Sequence, residues 1–147
     1  MLYFAYGSNL NHFQMKKRCR GSKYIKNYTL NRYKLCFSHK TNTSIYGHAN
    51  IIKNNKSKVE GALWKISTND EKELDWYEGV DYNYYQKEYF KLNGKKVLFY
   101  IQNVYYLKKP NSTYLHTIID GYKDCLLDIN KLKKIISKYK INYKIKW

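Results

Sequence analysis

The sequence has few of the residues that mark several protein classes. It contains one proline, seven glycines and no low-complexity run, which excludes long linkers and fibrous repeats. No stretch approaches the roughly 18 consecutive apolar residues of a membrane span, and the apolar start is too short for a signal peptide. We therefore expect a cytoplasmic protein without a membrane partner, folded as a single domain over residues 1–147.

Cysteine and histidine are too sparse to build the sites that need them. Cys19, Cys36 and Cys125 are odd in number, widely spaced and without a C-x-x-C pair, so neither a disulfide framework nor a zinc site is indicated. None of the four histidines has the H-x-x-x-H spacing that places two ligands on one helix face. We expect reduced, mostly buried thiols and no metal site.

Acidic residues are absent from the first 59 positions. Of the formal charge of +17, residues 1–59 carry +12, residues 60–128 carry −2 and residues 129–147 carry +7. Lysine and tyrosine suit phosphates and bases, which would favour a nucleic-acid partner. However, Lys, Asn, Ile and Tyr, all with A/T-rich codons, supply 71 of 147 positions, whereas arginine, the better bidentate group, occurs three times. A genome biased in base composition would produce this charge without a nucleic-acid partner, so we do not expect nucleic acid as the main partner, and the sequence leaves open whether the charge is functional or compositional.

The apolar residues are numerous enough for a sizeable core, at 44% of the chain, with 18% aromatic. Runs rich in β-branched and aromatic residues predict strands, and the strongest turn signal between two of them is Asn93-Gly94. The predicted strands cover residues 2–6, 24–40, 46–53, 58–66, 84–92 and 95–107.

Four helices are predicted between and after these strands. Each begins at a side chain that can cap it, and the first two end at a glycine. The first runs from Asn11 to Gly21, and the second from Thr68, with Glu71 completing a capping box, to about Tyr77 and the stop at Gly79. The third begins at Ser112 or Thr113, and the fourth begins at Asp128. This order of elements indicates an α+β fold with an antiparallel or mixed sheet that can close into a barrel.

The first candidate site is the turn after the apolar residues 2–6, with the sequence Tyr6-Gly7-Ser8-Asn9-Leu10. Consecutive backbone N–H groups at such a strand-to-helix turn can bind an anion. The same residues also suit an ordinary glycine turn in which Ser8 or Asn9 caps the next helix. The segment lacks the spacing of a phosphate-binding loop and does not frame Ser8 as a nucleophile, so both interpretations stay open.

Two further candidates lie later in the chain. Glu78, at the predicted end of the second helix, faces the negative end of the helix dipole, and burial beside Trp76, Tyr77 or Tyr82 would add desolvation. Both effects raise the pKa of a carboxyl group, as acid–base catalysis near neutral pH requires. The alternative is an exposed carboxylate among the other acids of that helix.

Tyr114 is one of 18 tyrosines and by pattern alone is a core or surface aromatic.

Together these segments resemble the γ-glutamylcyclotransferases and the related γ-glutamylamine cyclotransferase and AIG2-like proteins. Residues 2–10 (LYFAYGSNL) resemble the substrate loop of the family, and residues 74–80 (LDWYEGV), followed by Tyr84-Tyr85, resemble the segment that carries its catalytic glutamate. Residues 48–52 (HANII) and 59–64 (VEGALW) resemble two family strands. The order and spacing also match, and the resemblance extends from residue 2 to about residue 126.

The resemblance implies a small mixed β-barrel with surrounding helices. It also implies cyclisation of a γ-glutamyl group to 5-oxoproline, with release of a free amine and without a cofactor. It assigns Glu78 as the catalytic residue, and substrate binding to Tyr3, Phe4, Ala5, Tyr6, Gly7, Ser8, Asn9 and, less closely matched, Tyr114. The partner is then a small γ-glutamyl molecule, whose amine is left open as an α-amino acid, the ε-amine of lysine or another primary amine.

A different class of function is compatible with the same fold. A non-catalytic binding module would engage a protein or nucleic acid through its basic surface. A hydrolase that uses Ser8 lacks the accompanying histidine and acid pattern of a catalytic triad. The sequence leaves the oligomeric state open.

Overall fold

The computed structural model describes all 147 residues, in six strands and four α-helices. The strands are β1 (Leu2–Ala5), β2 (Lys23–His39), β3 (His48–Lys65), β4 (Gln86–Leu92), β5 (Lys95–Ile101) and β6 (Tyr106–Leu107). The helices are α1 (His12–Arg18), α2 (Thr68–Tyr77), α3 (Ser112–Asp124) and α4 (Ile129–Ile136). Short 3-10 helices over Ser8–Leu10 and Val80–Tyr82 come after β1 and α2.

The six strands form one sheet in the order β4-β5-β1-β3-β2-β6. β1 runs antiparallel to β3 and parallel to β5, so the sheet is mixed. It curls into a half-barrel, and the edge strand β4 reaches back to β2, where the rings of Phe90 and Tyr28 stack with centroids 5.7 Å apart. The prediction of an α+β fold with a mixed, barrel-like sheet is confirmed.

β1 lies in the middle of this sheet, which explains its uninterrupted apolar sequence. A central strand that is covered on both faces needs no alternation of apolar and polar residues. Phe4 is fully buried, and its ring packs edge-on against the rings of Tyr28 and Phe90. The chain leaves β1 directly into the Gly7 turn. Pairing with β3 extends to Ala5 and holds the chain as it enters the turn, whereas β5 pairs with Leu2 and Tyr3 at the start of β1.

The division into strands differs from the prediction in two places, and the other strand ends shift by no more than two residues. Residues 46–53 and 58–66 belong largely to one strand, β3, which pairs along its length with β2. The polar residues between them form a register shift opposite Arg32, whose φ is +68°. Extra residues on one strand of an antiparallel pair bend it, and pairing resumes beyond them. Conversely, residues 95–107 divide into β5 and the short β6, which pairs with β2 instead.

The helix ends follow the capping rules, with small shifts from the predicted positions. Asn11 caps α1 and Asp128 caps α4, as predicted. The cap of α2 is one residue earlier than predicted, and the carboxylate of Asp70, the other member of its capping box, also accepts the N–H of the distant Gly21. α2 and α3 begin at Thr68 and Ser112, but their capping residues were predicted wrongly. The capping box of α2 is Ser67 with Asp70, not Thr68 with Glu71, and the cap of α3 is Asn111, not Ser112 or Thr113. α1 ends at Arg18, before the predicted Gly21.

The buried apolar side chains form one core cluster of 30 residues. α3 contributes a buried stripe of Leu115, Ile118, Ile119 and Tyr122 at helical spacing. The three cysteines are free and buried, as predicted. None of the helices is long and apolar enough to cross a membrane.

Candidate active site

The turn after β1 lies where β3 and α3 approach each other. A Cβ on Gly7 would come 2.9 Å from the Cβ of Ala49 on β3 and 3.4 Å from the hydroxyl of Tyr114 on α3. Glycine permits this close approach because it has no side chain. The Tyr114 hydroxyl in turn accepts the N–H of Ala49 at 2.9 Å, so the turn and the two elements are fixed together.

The backbone of this turn presents free hydrogen-bond donors. The N–H groups of Gly7, Ser8 and Asn9 make no hydrogen bond within the protein. Consecutive N–H groups at such a turn form a concave donor set that suits an anion such as a carboxylate. The Ser8 hydroxyl oxygen accepts from Gln14 Nε2 at 2.8 Å, which leaves its own hydrogen free to donate. The segment is therefore a turn that can also bind an anion.

Asn9 is a buried hydrogen-bonding centre beside the turn. Its Nδ2 donates to the Tyr3 hydroxyl at 3.0 Å and to Glu78 Oε1 at 3.2 Å. Its Oδ1 accepts from Gln14 Nε2 and from Arg18 Nη1, both at 3.1 Å. Because all four hydrogen-bonding positions of the amide are occupied, its orientation is fixed. Asn9 thereby positions the Glu78 carboxyl relative to the turn.

Glu78 follows the last residue of α2. Its N–H donates to the carbonyl of Leu74 at 2.8 Å, and its carbonyl accepts the N–H of Tyr85 at 3.2 Å. Gly79 ends the helix in the left-handed conformation with φ +62°, as predicted for a helix stop. Burial raises the pKa of the Glu78 carboxyl to about 7, against an opposing effect of the Arg18 charge. A carboxyl with such a pKa exchanges protons readily at neutral pH.

These groups surround a cavity of about 170 Å³. Its wall combines one carboxyl, one guanidinium, one imidazole and seven tyrosines, so a few polar groups interrupt an aromatic surface, as in small-molecule sites. The lining residues are Tyr3, Tyr6, Gly7, Ser8, Asn9, Arg18, His48, Ala49, Tyr77, Glu78, Tyr84, Tyr85, Tyr100 and Tyr114. No group of three or more His, Cys, Asp or Glu side chains is placed to hold a metal ion.

A hydrogen-bonded pair, His48 and Tyr84, forms another part of the wall. His48 Nδ1 and the Tyr84 hydroxyl share a hydrogen bond, and the His48 ring packs edge-on against Tyr114 with centroids 4.9 Å apart. Burial lowers the pKa of His48, and the charges of His39 and Arg18 add to this effect. The imidazole is therefore neutral at neutral pH and adds no positive charge to the cavity.

The structure brings most of the predicted site residues together at the cavity. Those that line it are Tyr3, Tyr6, Gly7, Ser8, Asn9, Glu78 and Tyr114. Phe4 and Ala5 do not line it, and both are buried in the core. Successive side chains of a strand point to opposite faces, so Phe4 lies on the face away from Tyr3. A substrate-binding role for Phe4 and Ala5 stays a prediction.

Sequence reasoning assigned no role at the site to Arg18, His48 or Tyr84, although the last two lie in segments that resemble the family. A signal for Arg18 was present, because the cap at Asn11 places Gln14 and Arg18 four residues apart on one face of α1, next to the turn. His48 and Tyr84 gave no local signal. Their pairing depends on where β3 meets the segment after α2, which no periodicity in either segment shows.

Comparison with known proteins assigns the family. A family model described as gamma-glutamyl cyclotransferase, AIG2-like, matches residues 3–122. The chain belongs to this family. The matched range includes every residue that lines the cavity, so the whole candidate site lies within the part of the chain that the family model covers. No curated protein sequence matches the chain significantly.

Solved structures agree with the cyclotransferase family in fold. A gamma-glutamyl cyclotransferase is 26% identical with a TM-score of 0.82, over 99% of this chain and 93% of that one. An uncharacterized protein from Homo sapiens is 27% identical with a TM-score of 0.81, over 99% and 91% of the two chains. YkqA from Bacillus subtilis, 22% identical with a TM-score of 0.74 over 93% and 54%, is similar in fold alone.

The raised pKa of Glu78 predicts a pH-dependent loss of stability. Between pH 4.5, the ordinary pKa of the group, and about 7, the folded protein keeps a proton on Glu78 that the unfolded chain releases. Stability therefore falls as pH rises through this window and levels off above it. The measurement is the melting temperature of the wild-type protein minus that of Glu78→Gln at a series of pH values between 4.5 and about 7. The effects of the other titrating groups cancel in this difference. A difference that does not change with pH would contradict a raised pKa.

Proposed function

We propose that the protein is a γ-glutamyl cyclotransferase, which cyclises the γ-glutamyl group of a γ-glutamyl amino acid or amine to 5-oxoproline and releases the amine. One observation carries the proposal: the Glu78 carboxyl and the free N–H groups of the Gly7 turn share one cavity, joined through Asn9. The reaction needs a group that moves protons and a group that holds the glutamyl carboxylate. The cavity supplies both.

The reaction is an intramolecular acyl transfer. The α-amino nitrogen of the substrate bonds to its own γ-carbon, and the amide bond from that carbon to the leaving nitrogen breaks. An α-ammonium with a pKa near 8 is mostly protonated at neutral pH and is not a nucleophile. Ionised Glu78 takes one proton from the α-ammonium and passes it to the leaving nitrogen. The second proton, which the attacking nitrogen loses as the ring closes, ends on the released amine, which leaves as an ammonium, so Glu78 is a carboxylate again at the end of the cycle.

Orientation supplies much of the remaining rate. The N–H groups of Gly7, Ser8 and Asn9, together with the Ser8 hydroxyl, hold the α-carboxylate of the glutamyl group. The Tyr114 hydroxyl accepts from Ala49 and keeps its own hydrogen to donate to the substrate. With the carboxylate fixed, the α-amino group and the γ-carbon are held in contact, which is the condition for fast ring closure.

The experiment is to incubate purified protein with a panel of γ-glutamyl amino acids and γ-glutamyl amines, including γ-glutamyl-ε-lysine, and to quantify 5-oxoproline. We expect release from at least one class of substrate. An established cyclotransferase in parallel reactions is the positive control. No release from any member by folded protein would contradict the proposal and favour a non-catalytic binding module on this fold.

A further inference from the structure

Arg18 is a positively charged side chain on the cavity wall that forms no ion pair. It is half-buried, and it lines the cavity. The ion pairs of the structure use Lys87 and Lys131, and none uses Arg18. The one carboxyl of the wall, Glu78, is joined to Arg18 only through Asn9, and burial favours its protonated form. A partly buried guanidinium with no carboxylate in contact is costly, so its presence in the cavity indicates a site for an anion.

The contacts of Arg18 fix its position and leave most of its donors free. Nη1 donates to Asn9 Oδ1 at 3.1 Å, and the guanidinium lies over the ring of Tyr77, 4.4 Å from its centroid. A guanidinium has five N–H donors, so four remain without a partner in the protein. The planar group is therefore held in place with donors available for a carboxylate, which it can bind through two parallel hydrogen bonds.

We propose that Arg18 binds a carboxylate on the leaving-amine half of the substrate, an inference that rests on the proposed cyclotransferase function. The Gly7 turn takes the glutamyl α-carboxylate and Glu78 takes a proton from the α-amino group, which leaves the guanidinium for a second anion. Asn9 is hydrogen-bonded to both Arg18 and Glu78. A carboxylate on Arg18 is therefore one amide group away from the acid–base residue.

This short separation discriminates between leaving amines. An α-amino acid carries its carboxylate on the carbon bonded to the leaving nitrogen. In an ε-linked lysine the carboxylate lies beyond a flexible four-carbon stem, and a simple alkyl amine has no carboxylate. The arrangement favours γ-glutamyl α-amino acids as the substrate class.

The test compares γ-glutamylalanine with γ-glutamylethylamide, which differ only in the carboxylate on the leaving half. For wild-type protein we expect kcat/KM to be roughly 10- to 100-fold higher for γ-glutamylalanine, the effect of one charged hydrogen-bonded pair. Arg18→Gln should remove this preference by lowering the value for γ-glutamylalanine alone, and Arg18→Lys should restore part of it. Each protein is assayed on its own pH plateau, because loss of the Arg18 charge also raises the pKa of Glu78.

The matched control is Arg20→Gln, the same substitution at an exposed arginine outside the cavity. It should leave kcat/KM unchanged for both γ-glutamylalanine and γ-glutamylethylamide. An equal loss on both substrates in Arg18→Gln would overturn the inference, because Arg18 would then act through Glu78 or the glutamyl half. Calorimetric binding of the two ligands to Glu78→Gln protein, with and without Arg18→Gln, is a second readout. If wild-type protein turned over both substrates equally well, the role of Arg18 would be overturned and the proposed function would be kept. If wild-type protein turned over neither substrate, but the calorimetry showed tighter binding of γ-glutamylalanine that Arg18→Gln removes, the role of Arg18 would be kept and the proposed function would be overturned.

Discussion

Glu78→Gln should lower the rate of 5-oxoproline release by roughly 100- to 10,000-fold and leave the protein folded. Glutamine has nearly the same shape, and its amide oxygen can still accept the Asn9 N–H that Glu78 Oε1 accepts at 3.2 Å. Its amide cannot take a proton from an α-ammonium at neutral pH. The measurement is kcat from quantified 5-oxoproline, with thermal unfolding as the check that the variant is folded.

The matched control for this experiment is Glu73→Gln. Glu73 is an exposed carboxylate on α2, the helix that leads to Glu78, and it does not line the cavity. The control removes one negative charge from the same region and should keep full activity. If Glu78→Gln retained turnover within about tenfold of wild type, the acid–base role of Glu78 and the mechanism built on it would be wrong.

The two turns that carry the candidate site could be predicted from the sequence because each depends on a local backbone signal. Gly7 follows a short apolar strand, and Gly79 follows a capped helix, so both turns are specified within a few residues. What local reasoning could not supply is their contact, since Asn9 and Glu78 are 69 residues apart. The resemblance to the cyclotransferases implicated both turns, and the structure shows the hydrogen bond that joins them.

The parts that sequence reasoning missed are contacts between distant segments. Asn9 suited a helix cap by residue type, but Asn11 caps α1, and Asn9 is instead the buried centre of a hydrogen-bonded network. The pairing of His48 with Tyr84 likewise joins two segments that have no common periodicity. The hydrogen-bond partners of buried polar residues depend on which segments the apolar core brings together, so these partners cannot be inferred from spacing alone.

Gly61→Ala should lower the free energy of unfolding by about 3 kcal/mol, at the upper end of the usual effect of overpacking. Gly61 lies on β3 beside Ala62, which pairs with Ala5 of β1. A Cβ at this position would collide with the Ala5 carbonyl oxygen and come 2.7 Å from the ring of the fully buried Phe4. Neither can give way unless β1 moves, because one is backbone of the central strand and the other is enclosed by the core.

The same substitution should also lower activity, because β1 leads directly into the Gly7 turn and any shift of β1 moves the N–H groups and Asn9. A loss of about 3 kcal/mol corresponds to a fall in melting temperature of roughly 6 to 12 °C for a chain of this size. The control is Gly94→Ala in the β4–β5 turn, where a Cβ meets nothing within 4 Å and the φ of +78° alone costs about 1 kcal/mol. Equal, mild losses in both variants would show that β1 has room to move, and close packing of β1 on β3 could not then be what positions the turn.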